Sequence, residues 1–343
     1  MKKTLIVTLL ALFAASIMLV SPCFAGGVIK WKMQCAYPPG DATYDVHAIR
    51  AARLIEQASG GKIKVELFPP GALCSVKEMA DAVGAGMIEM AAIYGPRYAG
   101  RVPVADVEGG LPFTWANMDQ VVELFWGPQY NLIDTIRKGW AAKGVFYLTP
   151  NACGSYPFLT KFPIKTIADF KGHKIRGMGA SGEWLAKAGA SPTPLPGGEI
   201  YMALKLGTIE GTPFPPMILE TLKLKEVVDY ITFPGLVAPP QTCIIINMDA
   251  WKSLPEQVRK ALTDPNNQIK FYRANGKAYQ ARDDKALAAA RAYGVKSYIM
   301  PETELRKGRK LAQSVWQKVA QKDKYSKQAI DTLVKFMKAK GML

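Results

Sequence analysis

The chain has 343 residues, of which 49% are hydrophobic and 21% charged, and its formal net charge is +16 at pH 7. This is the composition of an ordinary globular protein. The basic residues are spread over amphipathic segments instead of forming a stripe interleaved with aromatic residues, so the charge does not indicate a nucleic-acid-binding protein.

The N-terminal 25 residues have the pattern of a secretory signal peptide: two lysines, an apolar run from Leu5 to Val20, and a small residue at Ala25. A membrane anchor is the competing interpretation, but a spanning helix needs about 20 apolar residues and Pro22 follows this run directly. A lipoprotein signal that uses Cys23 matches poorly because a proline precedes that cysteine. We therefore expect cleavage after Ala25 and a soluble mature protein in the periplasm, where its positive field favours small anions or an anionic membrane surface.

The first half of the mature chain predicts alternating strands and helices. Residues 28–34 (VIKWKMQ) predict a strand, residues 47–58 an amphipathic helix, and residues 62–68 (KIKVELF) a second strand. Ser75, with Glu78 three residues later, predicts a helix N-terminus, and a short strand is expected to end near Tyr94.

The second half continues the alternation. Residues 144–150 (GVFYLTP) predict a strand, and a short helix in TIADF leads to the strand that ends in KIR. Helices are expected in SGEWLAKAG and GGEIYMALKLG, and a buried strand in QTCIIIN, before amphipathic helices after Pro301. Strands that alternate with helices favour an α/β fold with parallel sheets, and the length favours two domains.

The four cysteines beyond the signal peptide are Cys35, Cys74, Cys153 and Cys243. Their wide spacing, without a CxxC pair, speaks against a zinc site or a disulfide-scaffolded miniprotein. Cys35 and Cys74 each follow a predicted strand, so two interpretations stay open: a disulfide between neighbouring strands, or buried free cysteines.

Catalytic motifs are lacking. The chain has two histidines, His47 and His173, and neither belongs to an HExxH, a GxSxG context or a Cys/His pair. The glycine-rich stretches do not match nucleotide-binding patterns, although GMGASGEW is able to seat an anion at a helix N-terminus. We expect no metal ion, no cofactor and no enzymatic activity.

One long segment carries a family resemblance. Residues 163–211 contain DFKG (169–172), KIR (174–176), GASP (189–192) and ExYxALxxGxxEG (199–211) in this order. This order resembles that of the DctP-like solute-binding proteins of TRAP transporters. FPPGAL, LPFTW and WKSLP also match, so that the resemblance extends over nearly the whole mature chain.

The resemblance implies a periplasmic binding protein-like α/β fold, with two α/β domains around a ligand cleft, hinge crossings and C-terminal helices. Residues 26–150 and 235–270 are expected to form domain I, and residues 151–234 and 271–343 domain II. Hinge segments are expected near Pro150, in FPGLVAPP and around Lys270. The resemblance also implies that Arg176 pairs with the carboxylate of an organic acid, for which a planar guanidinium is well shaped.

Two departures from the family pattern bear on the ligand. No second arginine stands between Arg137 and Arg176, and Phe214 stands near a position where the family commonly has an asparagine. The first departure disfavours a C4-dicarboxylate, and the second favours a monocarboxylate with an apolar or aromatic body. The alternative is that Phe214 packs in the hinge and the ligand is a small hydroxy or keto acid, or a sulfonate.

The predicted ligand-binding residues lie at or near strand ends, where open α/β sheets bind ligands. They are Arg176, Phe214, Tyr94, Asn151, Tyr37, Phe68, Cys153 and Met178. Arg97 and Arg101 are interpreted as solvated loop charges, and Tyr201 as a structural residue.

The predicted function is capture of an organic acid and its delivery to a TRAP permease in the membrane. Two alternatives stay open: an exported enzyme that acts on an organic acid in the same cleft, and a sensor subunit that presents the ligand to a membrane receptor. The sequence does not determine the identity of the ligand or the oligomeric state.

Overall fold

The structure is a computed structural model that describes residues 28–343. The predicted signal peptide, with its apolar run and Cys23, lies outside the described residues. Within residues 28–343, every helix is too short or too polar to span a membrane.

Eleven strands within the described residues form two sheets. They are β1 (Ile29–Cys35), β2 (Ile63–Phe68), β3 (Met90–Ile93), β4 (Val145–Ala152), β5 (Phe158–Thr160), β6 (Lys174–Arg176), β7 (Ser191–Thr193), β8 (Gly211–Pro213), β9 (Tyr230–Phe233), β10 (Gln241–Asn247) and β11 (Lys296–Ile299). The first sheet has the order β2-β1-β3-β10-β4, and the second has the order β11-β9-β5-β8-β6-β7.

Helices cover both sheets, which confirms the predicted α/β class. The α-helices are α1 (Ile49–Ala58), α2 (Met79–Gly84), α3 (Ala105–Gly109), α4 (Met118–Trp126), α5 (Leu132–Ala141), α6 (Gly179–Lys187), α7 (Ile200–Lys205), α8 (Ile218–Thr221), α9 (Met248–Ser253), α10 (Glu256–Thr263), α11 (Pro265–Tyr293), α12 (Glu302–Ala320) and α13 (Lys324–Ala339). A π-helical turn (Thr43–Ala48) precedes α1, and short 3₁₀ turns occupy Gly95–Tyr98, Ile167–Phe170, Gly197–Glu199 and Leu224–Glu226. Helix α2 begins at Met79, later than the capping pattern predicted, while Ser75 bonds to Glu78 in the preceding turn.

The prediction of wholly parallel sheets is wrong, because each sheet contains one reversed strand. β10 is antiparallel to β3 and β4, and β5 is antiparallel to β8 and β9. The chain leaves the carboxyl end of β4 to enter the second sheet at β5, and it returns to the first sheet at β10. A strand that enters a sheet at the edge where its neighbours end has to run in the opposite direction.

Three segments connect the sheets. Residues 153–157 and residues 234–240 run side by side, where Tyr156 N–H donates to Val237 O at 3.0 Å and Leu236 N–H donates to Tyr156 O at 2.9 Å. The third connection is α11, which includes Lys270 and packs on β4 near its beginning and on α8 further along. Sequence reasoning missed this helix, although Asp264 accepts a hydrogen bond from Asn267 N–H as its N-cap.

Three hydrophobic clusters hold these layers together. One cluster, with Trp31, packs α1 and α10 on one face of the first sheet, and another, with Ile231, packs α7 and α11 on one face of the second. The largest joins the remaining faces of both sheets through α5, α12 and α13, and includes Trp140 and Trp184. Apolar burial on both faces is what α/β sheets require.

The C-terminal helices divide between the two halves of the molecule. Helix α12 packs on α6 beside the second sheet, whereas α13 packs on α5 beside the first. The two-domain division remains a prediction, and the contact of α13 with α5 indicates that the chain ends against the half that was predicted as domain I.

The four described cysteines are free, which decides between the two interpretations of Cys35 and Cys74. Cys74 lies beside Gln34, whose amide donates to the Cys74 carbonyl at 2.8 Å. Side chains of consecutive strand residues point to opposite faces of a sheet. Cys35 is therefore buried on the face opposite to Gln34 and Cys74, out of reach of a disulfide.

Candidate functional site

Six of the eight predicted ligand-binding residues lie at the carboxyl ends of strands, with Phe68 as the last residue of β2. In the first sheet, Tyr37 follows β1, Tyr94 follows β3 and Cys153 follows β4. In the second sheet, Arg176 is the last residue of β6 and Phe214 follows β8. Tyr94 of the first sheet and Arg176 of the second sheet lie near enough to interact electrostatically, so the two sheets present these groups to one shared site.

Arg176 is half-buried and has no carboxylate partner among residues 28–343. Its Nε donates to Leu195 O at 3.3 Å, and its guanidinium carbon lies 5.2 Å from the centre of the Phe214 ring. Burial lowers the pKa of Arg176, and the Arg97 charge lowers it further. A partly buried cation without a counter-charge is costly unless an anion joins it, so the geometry suits an anionic ligand.

Aromatic rings form one wall of the site. Phe214, which contacts the guanidinium, is stacked on Tyr156 with a centroid separation of 5.6 Å and an interplanar angle of 14°. Burial raises the pKa of Tyr37, Tyr94 and Tyr156 above the ordinary tyrosine value. Their hydroxyl groups therefore stay protonated and are able to donate hydrogen bonds to a ligand oxygen.

The predicted residues further include Asn151, Phe68 and Met178. Asn151 lies inside β4 and not past its end, and its fully buried Oδ1 accepts from Asn275 Nδ2 at 2.9 Å. Phe68 ends β2, the edge strand of the first sheet, opposite Gln34. Met178 precedes α6 and is half exposed. No described contact links these three side chains to Arg176.

Sequence reasoning missed Tyr156 and set Arg97 aside. Tyr156 lies in a connecting segment, where neither periodicity nor a motif identifies it. Arg97 is exposed, as expected, and its charge only partly offsets the burial that raises the pKa of Tyr37 and Tyr94. Arg101 fits its interpretation better, because it is exposed and forms an ion pair with Asp81.

The two histidines have structural partners. His47 is buried, its Nδ1 lies 3.0 Å from Thr242 Oγ1, and burial lowers its pKa to about 3. His173 Nδ1 lies 3.1 Å from Glu210 Oε1. Tyr201 donates its hydroxyl to Glu226 at 3.1 Å, which fits a structural role.

Asp283 lies where α11 meets the first connecting segment. It is buried, its Oδ1 accepts from Met217 N–H at 2.9 Å, and its Oδ2 has no partner among the described residues. A side chain at Gly154 would overlap with this carboxyl group, so Gly154 and Asp283 are in close contact. Burial raises the pKa of Asp283 to about 7.

We expect replacement of Asp283 by asparagine to make stability less dependent on pH. Because the folded-state pKa is raised, the protonated form stabilises the fold at low pH, and this contribution is lost as the pH rises through 7. Between pH 6 and pH 8 the free energy of unfolding of the parent should fall by roughly 1.4 kcal/mol through this group, and that of Asp283→Asn should not. Urea unfolding at pH 6, 7 and 8 measures this, with the exposed neighbour Asp284→Asn as control. Parallel losses in the parent and Asp283→Asn would contradict it.

Comparison with known proteins adds two kinds of similarity. A family model described as bacterial extracellular solute-binding protein, family 7 (DctP), matches residues 40–323. A monocarboxylate 2-oxoacid-binding periplasmic protein of Nostoc sp. is 26% identical over 313 residues, which cover 90% of this chain and 84% of that protein.

Solved structures share the fold. A TRAP transporter solute-binding protein from Bordetella bronchiseptica, with copurified calcium and picolinate in its active site, has a TM-score of 0.76 at 24% identity and covers 92% of this chain and 94% of its own. A TRAP periplasmic solute-binding protein from Desulfovibrio salexigens with bound orotic acid has a TM-score of 0.74 at 22% identity, over 90% of this chain and 99% of its own.

Proposed function

The chain belongs to the DctP family of bacterial extracellular solute-binding proteins, and from this premise we propose that it captures an organic acid in the periplasm and delivers it to the membrane subunits of a TRAP transporter. Arg176 pairs with the ligand carboxylate. The observation that carries this proposal is the half-buried Arg176 guanidinium, which has no carboxylate partner in the described chain and lies against Phe214. An arginine fork and a carboxylate form two parallel hydrogen bonds.

The proposed ligand is a monocarboxylate with an aromatic or apolar body. Phe214 and Tyr156 offer a stacked aromatic surface beside Arg176, and the hydroxyl groups of Tyr37 and Tyr94 are donors for a carboxylate or an adjacent oxygen. Picolinate and orotic acid are aromatic acids, so their complexes show that this fold accommodates such ligands. A small 2-oxo acid is the second candidate, because the Nostoc relative is named for that class.

Binding without turnover is the proposed mode of action. A general base near neutral pH is not available from His47, whose pKa is about 3 and whose ring bonds to Thr242. Closure of the two halves around the anion would exclude water from the Arg176 pair and strengthen it.

A thermal-shift screen tests the ligand class. Phenylacetate, phenylpyruvate and picolinate are compared with pyruvate, lactate, succinate and methanesulfonate, and with neutral phenylacetamide. A ligand at 100 times its Kd adds about 2.7 kcal/mol, so we expect the aromatic acids to raise the Tm by several degrees. Recovery of the ligand unchanged after long incubation is expected as well. Stabilisation by succinate alone would refute the aromatic monocarboxylate, and conversion of the acid would favour an enzyme.

A further inference from the structure

The Arg176 side chain is oriented by two contacts on its own half of the molecule. Its Nε–H donates to the carbonyl of the buried Leu195, which follows β7, at 3.3 Å. Its guanidinium carbon lies 5.2 Å from the centre of the Phe214 ring, within the range of a cation–π contact. The two terminal nitrogens carry the remaining N–H donors and have no acceptor among the described residues. With Nε occupied, a carboxylate pairs with the guanidinium end-on, through these two nitrogens.

The Phe214 ring is itself held by its neighbours. It is stacked on Tyr156 with a centroid separation of 5.6 Å, a distance at which aromatic pairs attract each other. Phe214 N–H donates to the carbonyl of Pro157, the residue after Tyr156, at 3.2 Å. A Cβ atom at Gly197 would lie 3.5 Å from Phe214 Cζ, so the backbone before α7 approaches the tip of the ring. The ring that contacts the guanidinium is thus fixed by Tyr156 and by the backbone around it.

Tyr156 is anchored where the chain crosses between the two sheets. Its N–H donates to Val237 O at 3.0 Å, and its carbonyl accepts from Leu236 N–H at 2.9 Å. A Cβ atom at Gly235 would overlap with the Tyr156 backbone, so the two connecting segments are in close contact here. A chain of contacts therefore runs from the connecting segments through Tyr156 and Phe214 to the guanidinium of Arg176.

We propose that Tyr156 is a positioning residue: by stacking on Phe214 it keeps the Arg176 guanidinium in the orientation that offers both terminal nitrogens to a ligand carboxylate. An arginine side chain that is ordered before the ligand arrives loses less conformational freedom on binding, which favours affinity. Because Tyr156 acts through Arg176, it supports binding of carboxylates whatever their body. The proposal rests on the proposed function for the ligand carboxylate, whereas the orientation of Arg176 is measurable in the ligand-free protein.

NMR of the ligand-free protein with isotope-labelled arginine tests the orientation of Arg176. The Nε–H signal of Arg176 is identified by its absence from Arg176→Lys. Tyr156→Leu and Tyr156→Met both remove the ring and keep an apolar side chain, and we expect either variant to shift this signal and to speed its exchange with water. Tyr156→Phe keeps the ring and should restore the parental signal, and Tyr293→Leu, which alters an exposed tyrosine at the end of α11, should leave it unchanged. A parental Nε–H signal in folded Tyr156→Leu or Tyr156→Met would overturn the proposal.

Calorimetry with phenylacetate and pyruvate separates positioning from contact with the ligand body. Ordering one long side chain corresponds to about three- to tenfold in affinity. We expect Tyr156→Leu to lose this factor for both acids, and Tyr156→Phe to bind both like the parent. A loss for phenylacetate alone would assign Tyr156 to the ligand body and overturn the positioning role, and parental affinity for both acids would overturn it as well. If neither acid binds to the parent, the proposed ligand class is wrong, and the NMR result alone decides on Tyr156.

Discussion

Replacement of Arg176 by glutamine is expected to weaken binding of the acid ligand by about 100-fold or more. Arg176 offers two parallel charge-assisted hydrogen bonds to a carboxylate, each stabilising by about 1.5–3 kcal/mol, and 100-fold in Kd corresponds to about 2.7 kcal/mol. Glutamine keeps one donor group but loses the charge and the planar fork. The expected result is that an acid which copurifies with the parent in native mass spectrometry is absent from Arg176→Gln.

Two further variants separate the role of Arg176 from a general loss of positive charge. Arg176→Lys keeps the charge as a point and should bind with intermediate affinity, because an ammonium group cannot form the bidentate pair. Lys174→Gln removes an exposed charge from the same strand, β6, and should bind like the parent. Equal ligand retention by Arg176→Gln and the parent would place the anion elsewhere and direct attention to Arg97.

Local patterns in the sequence predicted much of the frame. The strand that carries Arg176 and the two C-terminal helices follow from periodicity and turn residues over short windows. The position of Arg176 at the end of β6 followed from the KIR motif. Tyr37 was predicted from its place just past a strand, at the edge where α/β sheets bind ligands, and Phe214 from a departure from the family pattern; their contact with a ligand stays a prediction.

The features that the sequence did not predict depend on non-local contacts. The reversed directions of β5 and β10 depend on where the chain crosses between the sheets. Asn151 was expected beyond a strand end, yet the pairing of β4 with β10 extends through Ala152 and includes it. Tyr156 lies in a connecting segment and meets Phe214 of the second sheet through ring stacking. No local pattern encodes such a meeting of residues so far apart in the chain.

Glu108 is a buried acid that packs against Gly95, in the turn Gly95–Tyr98. Its side chain is 1% exposed, its Oε2 accepts from Trp140 Nε1 at 2.7 Å, and its Oε1 has no partner among the described residues. Burial raises the pKa of Glu108 to about 8, against the smaller lowering effect of the hydrogen bond from Trp140. The folded protein therefore holds this carboxyl group protonated at neutral pH, whereas the unfolded chain ionises it.

We expect Glu108→Gln to remove a large pH dependence of stability. With the folded-state pKa raised to about 8, the stabilising protonated form is fully present below the ordinary value of 4.5 and is lost as the pH rises through 8. Between pH 5 and pH 9 the parent should lose roughly 4 kcal/mol from this group, because ionisation places an unpaired charge against Gly95 and Trp140. Glutamine keeps the acceptor for Trp140 and does not ionise, so its free energy of unfolding should lack this loss.

The decisive measurement is urea unfolding of the parent and Glu108→Gln at five pH values from 5 to 9, with Glu66→Gln as an exposed control on β2. The additional N–H donor of glutamine would be buried without an acceptor, which costs about 1–3 kcal/mol. This cost lowers the free energy of unfolding of the variant by the same amount at every pH. The diagnostic quantity is therefore the pH dependence of the difference in free energy of unfolding between variant and parent. For Glu108→Gln this difference should become more favourable to the variant as the pH rises, and for Glu66→Gln it should stay constant. Parallel curves for the parent and Glu108→Gln would mean that Glu108 is ionised in the folded protein.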